Sequence, residues 1–441
     1  MNDAGLAASK SAAASVVAVT RQIVAARRVL QPQKMLGALG VSGDESPTKA
    51  DGYCILDDCA LDVSSGGGAR TAKYALSTSQ ASGDIAVVFL PLGVSRLFVT
   101  REDVAESARD AGLRLLAVDR PGVGGTAPAT QKSAEAREPY RARRDVDVEV
   151  AVIREKLETA AELEQKGKDW WRYSRTVRRR LWTHSRDVAQ VLKSLGIDGV
   201  HAKARVVGVC AGSPYALHFA RSFPELVDRT HLTLVTPWVS PECPHSWSVA
   251  RLASNRWFGG RSFVGYLLGS LQLGVTIPLL RSLEPHEALD LLEKKLTDAE
   301  REEVRLQRLA QHVAKEDASF SDEEALGLKA LGHLRDNADA HNVAALTDDV
   351  RVCLSTLDEI DVAPESLGFE RATVFAADCD DLVKPDAVEW LAAKLPNSRL
   401  VVFGRSSHSG VQMLRRREWL RAAATHGDAD RGATLAPAVE S

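Results

Sequence analysis

The 441-residue sequence predicts an α/β protein with a mostly parallel central sheet, on three observations. The runs Ile85–Leu90 (IAVVFL) and Leu113–Val118 are continuously apolar, the composition of parallel strands buried on both faces. Each leads straight into a loop that contains glycine. The third observation is the stretch Arg205–Arg221, RVVGVCAGSPYALHFAR, in which a short buried strand, a Gly-flanked turn and a helix follow one another.

That stretch is where the rest of the chain is organised. After Gly208-Val209-Cys210-Ala211-Gly212 come Tyr215, Ala216, Phe219 and Ala220 at helical apolar spacing. The layout is that of a nucleophile elbow, G-x-S-x-G, with Cys in the place of Ser. Glycine is needed on both sides because a Cβ two residues either way would collide with the neighbouring strand and helix. In this geometry the Cys210 sulfur points away from the sheet, at the start of the next helix. Unpaired N–H groups and the helix dipole there favour a thiolate. The alternative is a small buried cysteine that serves only as core.

Together with FPELVDRTHLTLVTPW just after it, the elbow resembles the α/β-hydrolase superfamily. The resemblance covers roughly Gly52–Ala424 apart from an insertion, and is strongest at the elbow, at DRPGVGGT (Asp119–Thr126) and at His408. It implies an α/β-hydrolase fold with helices on both sides of the sheet and a helical cap inserted after the sixth strand.

Taken in order, residues 1–50 form an arm. It has no acidic residue from Ala4 to Gly43 but carries Lys10, Arg21, Arg27, Arg28 and Lys34. Such a composition suits either a surface helix or a mitochondrial or plastid targeting segment. Residues 51–238 are expected to be the first part of the core. It opens with β-like runs at Tyr53–Leu56 and Thr71–Ser77, the latter preceded by a flexible segment at Ser64–Gly68. A charged helical insertion is expected at about 127–180. Trp170, Trp171 and Tyr173 alternate there with Arg172, Arg175, Arg178, Arg179 and Arg180, read as an amphipathic helix with solvated arginines. Thr183–Gly196 resembles the family helix that packs beneath the elbow strand, and Leu232–Val235 is the strand after the elbow helix.

From 239 to 370 the pattern is almost wholly helical, and the resemblance makes this interval the cap. Ser262–Leu280 has no charged residue, yet its Gly, Ser, Thr and Pro content suits a buried cap segment better than a membrane span. Leu291–Ala314 reads as a charged, solvated helix. His286, His312, His333 and His341 have no metal-site spacing. Residues 371–426 close the core with strands at Ala372–Ala376 and Leu395–Phe403 and a helix at Arg415–Ala424; 427–441 reads as a disordered tail.

Bulk properties narrow the function. A hydrophobic content of 45% supports a large core, and a net charge of −3 argues against a nucleic-acid surface. Six cysteines without paired short spacings form neither a disulfide framework nor a zinc pattern, and point to a reducing compartment such as the cytoplasm. No cofactor, metal or integral membrane segment is expected.

The resemblance places a nucleophile, an acid and a base at Cys210, Asp380 and His408, with Asp378 and Asp381 close enough to compete for the acid's role. It implies an oxyanion hole of two backbone N–H groups, Ala211 after the nucleophile and Val94 after Leu92-Gly93. The family's usual His-Gly is here Leu92-Gly93, the Gly before the catalytic His is here Ser407, and Ala377 replaces a Gly. The expected activity is hydrolysis of an ester, thioester or lactone of a small molecule through an acyl-enzyme. An acyltransferase using the same site is one alternative, and a catalytically silent fold that binds a ligand or a protein partner is another.

Overall fold

In a computed structural model of the chain, the described residues are 59–65, 68–77, 83–129, 168–246, 290, 293–313 and 343–425. Eight strands among them form one sheet: β1 (Cys59–Ser65), β2 (Gly68–Leu76), β3 (Asp84–Phe89), β4 (Leu113–Val118), β5 (Ala204–Val209), β6 (Val227–Val235), β7 (Ala372–Ala377) and β8 (Ser398–Phe403). Their spatial order is β1-β2-β4-β3-β5-β6-β7-β8. Pairing is antiparallel from β1 to β2 and from β2 to β4, and parallel from β4 across to β8.

The helices are α1 (Glu102–Asp110), α2 (Lys168–Ser194), α3 (Ser213–Ser222), α4 (Asp298–Val313), α5 (Val343–Cys353), α6 (Pro385–Ala392), α7 (His408–Met413) and α8 (Arg416–Ala424). The run IAVVFL is apolar throughout because each face of β3 has its own helical cover. Ile85, Val87 and Phe89 belong to the same buried cluster as Leu181 and Leu192 of α2 and Phe219 of α3. Ala86 and Val88 face the other way, towards Val104 of α1 and Trp419 and Leu420 of α8. The two-residue period of a strand thus feeds two cores from one apolar run.

Several local expectations are refined. Ser64 and Gly68, read as flexible, belong to strands: Ser65 lies opposite Gly68 across a hairpin. Helix α2 begins at Lys168 and continues to Ser194, so the last part of the expected insertion and the helix beneath the elbow strand are one element. The reading of its arginines as solvated fails at Arg180. That side chain is 4% exposed because Asp349 of α5 supplies a buried carboxylate to pair with it. The charged helix expected at Leu291–Ala314 is found as α4, from Asp298.

Much of the expected cap, the 130–167 part of the insertion, the N-terminal arm, Tyr53–Leu56 and the C-terminal tail lie outside the described residues. So do Ser262–Leu280 and His286, His333 and His341. Among the described residues, no helix is long and apolar enough to cross a membrane.

Candidate active site

Cys210 stands at the turn between β5 and α3. Its φ is +48°, in the left-handed region that costs a residue with a Cβ of the order of 1–3 kcal/mol. Hydrogen bonds secure the turn from both sides: the Cys210 carbonyl accepts from Trp238 N–H at 3.0 Å and from Ser213 N–H. The two glycines are required by space. A Cβ on Gly212 would overlap the Phe89 carbonyl oxygen, and one on Gly208 would lie 3.0 Å from Ala216 Cβ and from Leu234 Cδ2. Gly208 sits between Phe89 of β3 and Leu234 of β6 in the ladder, so the elbow rises from the centre of the sheet.

Asp380 and His408 come to this point from the ends of β7 and β8. His408 Nδ1–H donates to Asp380 Oδ2 at 2.6 Å. The other carboxylate oxygen accepts from Leu382 N–H at 2.8 Å and Val383 N–H at 2.7 Å, which fixes the plane of the group. The Asp380 side chain is 1% exposed. Asp378 is engaged elsewhere, accepting from Arg405 N–H and Ser406 N–H, and Asp381 is exposed. Of the three aspartates, Asp380 is the one that reaches the imidazole.

Charge at the site follows from this packing. Burial opposes a charged His408. The neighbouring Cys210 sulfur, the hydrogen bond to Asp380 and a hydrogen bond to Cys210 outweigh it, so the imidazole is pushed up to about 10. Cys353 is packed in the same apolar cluster as Cys210. Burial, and then the charges of Cys210 and Asp349, push its thiol well up, so it keeps its proton.

The loop after β3 is held by Arg120 of the DRPGVGGT segment. Its guanidinium donates to the Leu90 and Pro91 carbonyls, both at 2.9 Å, and pairs with Asp349 at 3.0 Å. Asp349 also accepts from Arg180 Nη2–H at 2.7 Å and from Tyr215 O–H at 2.6 Å. Burial works against its charge, but Arg120 and Arg180 hold the carboxyl below the usual carboxylate range. Beside this network Arg96 and Asp119 form a second buried pair. In the loop itself Val94 N–H donates to the Pro91 carbonyl at 3.3 Å, closing a turn on Gly93 at φ +76°. Ala211 lies directly after Cys210, in the single 3₁₀ turn that opens into α3.

Two polar residues at the site escape a reading of the sequence. Gln412 reaches His408 Nε2 at 2.9 Å and donates to Thr236 Oγ1 at 2.8 Å. Its only sequence signal is its spacing, i+4 from His408, which puts both on one face of a helix. Thr236 follows β6 with φ +39°, a strain that no sequence pattern announces.

The chain belongs to the α/β-hydrolase fold family, whose model matches residues 92–411. Among solved structures it is similar to an alpha/beta hydrolase fold protein from Nakamurella multipartita, at 18% identity over 83% of this chain and 99% of that one, with a TM-score of 0.44. A bromoperoxidase from Bacillus anthracis is 13% identical over 82% and 96% of the two chains, with a TM-score of 0.44. The enol-lactonase from Burkholderia xenovorans is 15% identical over 80% and 94%, with a TM-score of 0.42. No curated protein matches the chain.

Proposed function

We propose that the protein is an acyl hydrolase acting on an ester, thioester or lactone of a small molecule, with Cys210 as nucleophile, His408 as acid and base, and Asp380 orienting the ring. The observation that carries this reading is the convergence of a strained Cys210 with an imidazole whose far nitrogen is bound to a buried carboxylate. A structural cysteine does not require φ +48°, and a structural histidine does not require the orientation that Asp380 imposes.

The charge state of His408 suits sulfur. An imidazole pushed up to about 10 is a poor base for an unactivated hydroxyl, but it pairs with a thiolate and donates to a leaving group. Attack of the Cys210 sulfur on the carbonyl carbon gives a tetrahedral oxyanion, with the Ala211 N–H as one donor. As the C–O or C–S bond of the leaving group breaks, His408 delivers its proton and Cys210 is left as a thioester. The sulfur has then lost its charge, and with it a leading cause of the raised imidazole. His408 becomes a competent base for the water that attacks the thioester and returns the thiolate–imidazolium pair. An acceptor other than water at that step makes the same site an acyltransferase.

One observation favours the silent reading: Val94 N–H, the second expected donor, is turned onto the Pro91 carbonyl. The two readings separate in one experiment. The full chain is mixed with an activated ester and a thioester and followed by intact mass. The proposal expects an adduct on Cys210 that decays with release of acid, is absent in Cys210→Ala, and forms at least about tenfold more slowly in His408→Ala, an order-of-magnitude expectation for loss of the base. Absence of an adduct, or one that forms equally fast without His408, refutes the hydrolase.

A further inference from the structure

Ser407, where the family's usual residue before the catalytic His is Gly, is bound by a carboxylate 107 residues earlier in the chain. Ser407 N–H donates to Glu300 Oε1 at 2.9 Å and Ser407 Oγ–H to Glu300 Oε2 at 2.8 Å. Glu300 is 2% exposed and lies in the first turn of α4, between β6 and β7 in the chain. Its Oε2 also accepts from Thr297 N–H at 2.8 Å while Thr297 Oγ1 accepts from Glu300 N–H at 3.2 Å. This is a capping box that fixes the carboxylate before it meets Ser407. Gly410 is packed so closely that a Cβ there would overlap Glu300 Oε1.

Two further ties lie on the same helix face at spacing of three. Thr297 Oγ1–H donates to the Arg405 carbonyl at 2.6 Å, and Glu303 takes both guanidinium nitrogens of Arg415, at 2.9 and 2.7 Å. The N-terminal turns of α4 therefore grip the chain at Arg405, Ser407 and Arg415, on both sides of His408.

We propose that Glu300 is a positioning residue for His408. It fixes the Ser407 backbone and hydroxyl, and Ser407 caps α7 by accepting Gly410 N–H at 3.0 Å, so that the ring is presented to Asp380 and Cys210 from the first position of that helix. Ser407 is then half of a built contact between α4 and the His408 loop. The inference rests on the acyl-hydrolase reading for its catalytic consequence, but the geometry it asserts is independent of that reading.

The test uses the full chain as wild type, Glu300→Gln, Glu300→Ala, Ser407→Ala and Glu302→Gln, with His408→Ala to assign signals. Two readouts are taken: the low-field proton resonance of the His408–Asp380 hydrogen bond, and the rate of Cys210 alkylation by iodoacetamide against pH. Glu300→Ala is expected to broaden or shift the resonance and to slow alkylation about tenfold, the scale of a small misplacement of a reacting group. Glu300→Gln keeps an acceptor for Ser407 N–H and is expected to recover most of both, whereas Glu302→Gln, whose exposed carboxylate pairs with Arg305 of the same helix, changes neither. Should Glu300→Ala fail to fold, Ser407→Ala takes its place, and an intermediate loss in both readouts supports the proposal. A resonance and pH profile unchanged in folded Glu300→Ala, or in Ser407→Ala, overturns it. If His408→Ala leaves alkylation unchanged, the catalytic pair is refuted, and the resonance alone still decides whether Glu300 holds the ring.

Discussion

Gln412 stands one helical turn beyond His408 and puts its side-chain amide 2.9 Å from Nε2, the nitrogen opposite the one bound to Asp380. With a neutral ring the amide N–H donates to Nε2; with an imidazolium the amide turns its oxygen to accept. Under the proposed hydrolysis, Gln412 is placed to answer a change of protonation at Nε2.

This gives a first prediction. In Gln412→Glu a carboxylate facing Nε2 stabilises the imidazolium and disfavours the neutral ring that hydrolysis of the thioester requires. Acylation is expected to persist while deacylation slows about tenfold, so that the acyl-enzyme accumulates. Intact mass after mixing with an activated ester measures it. Turnover equal to wild type would show that Gln412 does not touch the reacting ring.

His218 predicts an acid limb of stability. It is buried against Ser185 Oγ at 2.9 Å, and burial, then Arg221 and Arg178, lower its pKa from 6.5 to about 3. The unfolded chain takes up a proton below 6.5 that the folded chain refuses down to about 3, so stability is present at neutral pH and lost as pH falls through that window. The slope is one proton, about 1.4 kcal/mol per pH unit. Urea midpoints between about pH 6.5 and about pH 4 should fall less steeply in His218→Gln than in wild type, by that one proton.

Asp349 serves two guanidinium groups at once. Asp349→Asn leaves Arg120 and Arg180 buried without their carboxylate and is expected to destabilise the fold by roughly 3–5 kcal/mol. Urea denaturation measures it, and a loss below about 1 kcal/mol would mean that water relieves both arginines.

The two elbow glycines should differ in tolerance. In Gly212→Ala the new methyl meets a backbone carbonyl that cannot swing aside, and a cost above about 3 kcal/mol is expected. In Gly208→Ala the neighbours, Ala216 Cβ, Leu234 Cδ2 and the Ser213 Cα, all stand at 3.0 Å and need give only slightly, and about 1–2 kcal/mol is expected. Thermal melting of both variants ranks them, and equal losses would contradict the difference in what surrounds each glycine.

The sheet is plain in the sequence because β3, β4 and β5 are covered on both faces, and unbroken apolar runs are the visible result. Gly208 and Gly212 are legible for a related reason: close neighbours penalise any Cβ at either position. Arg180 misleads because its helix pattern says nothing of a carboxylate 169 residues away. Glu300 is invisible for the same reason, since a glutamate in the first turn of a charged helix looks solvated until the His408 loop is folded over it. Asp380 can be named only among three neighbours; its two backbone donors and its 1% exposure are properties of the folded loop. Gln412 illustrates the limit differently, for its spacing is present but one i+4 pair is too common to single out.

The grip of Arg120 on the loop after β3 has a bearing on how freely this protein can be re-engineered. The guanidinium holds the carbonyls of Leu90 and Pro91, atoms that every amino acid carries, and its anchor Asp349 lies in a different element altogether. The shape of the loop is thereby uncoupled from the side chains at positions 92 and 94. Those two positions form a natural place for a combinatorial library, where the wall beside Cys210 can be resized without disturbing the backbone that supports it.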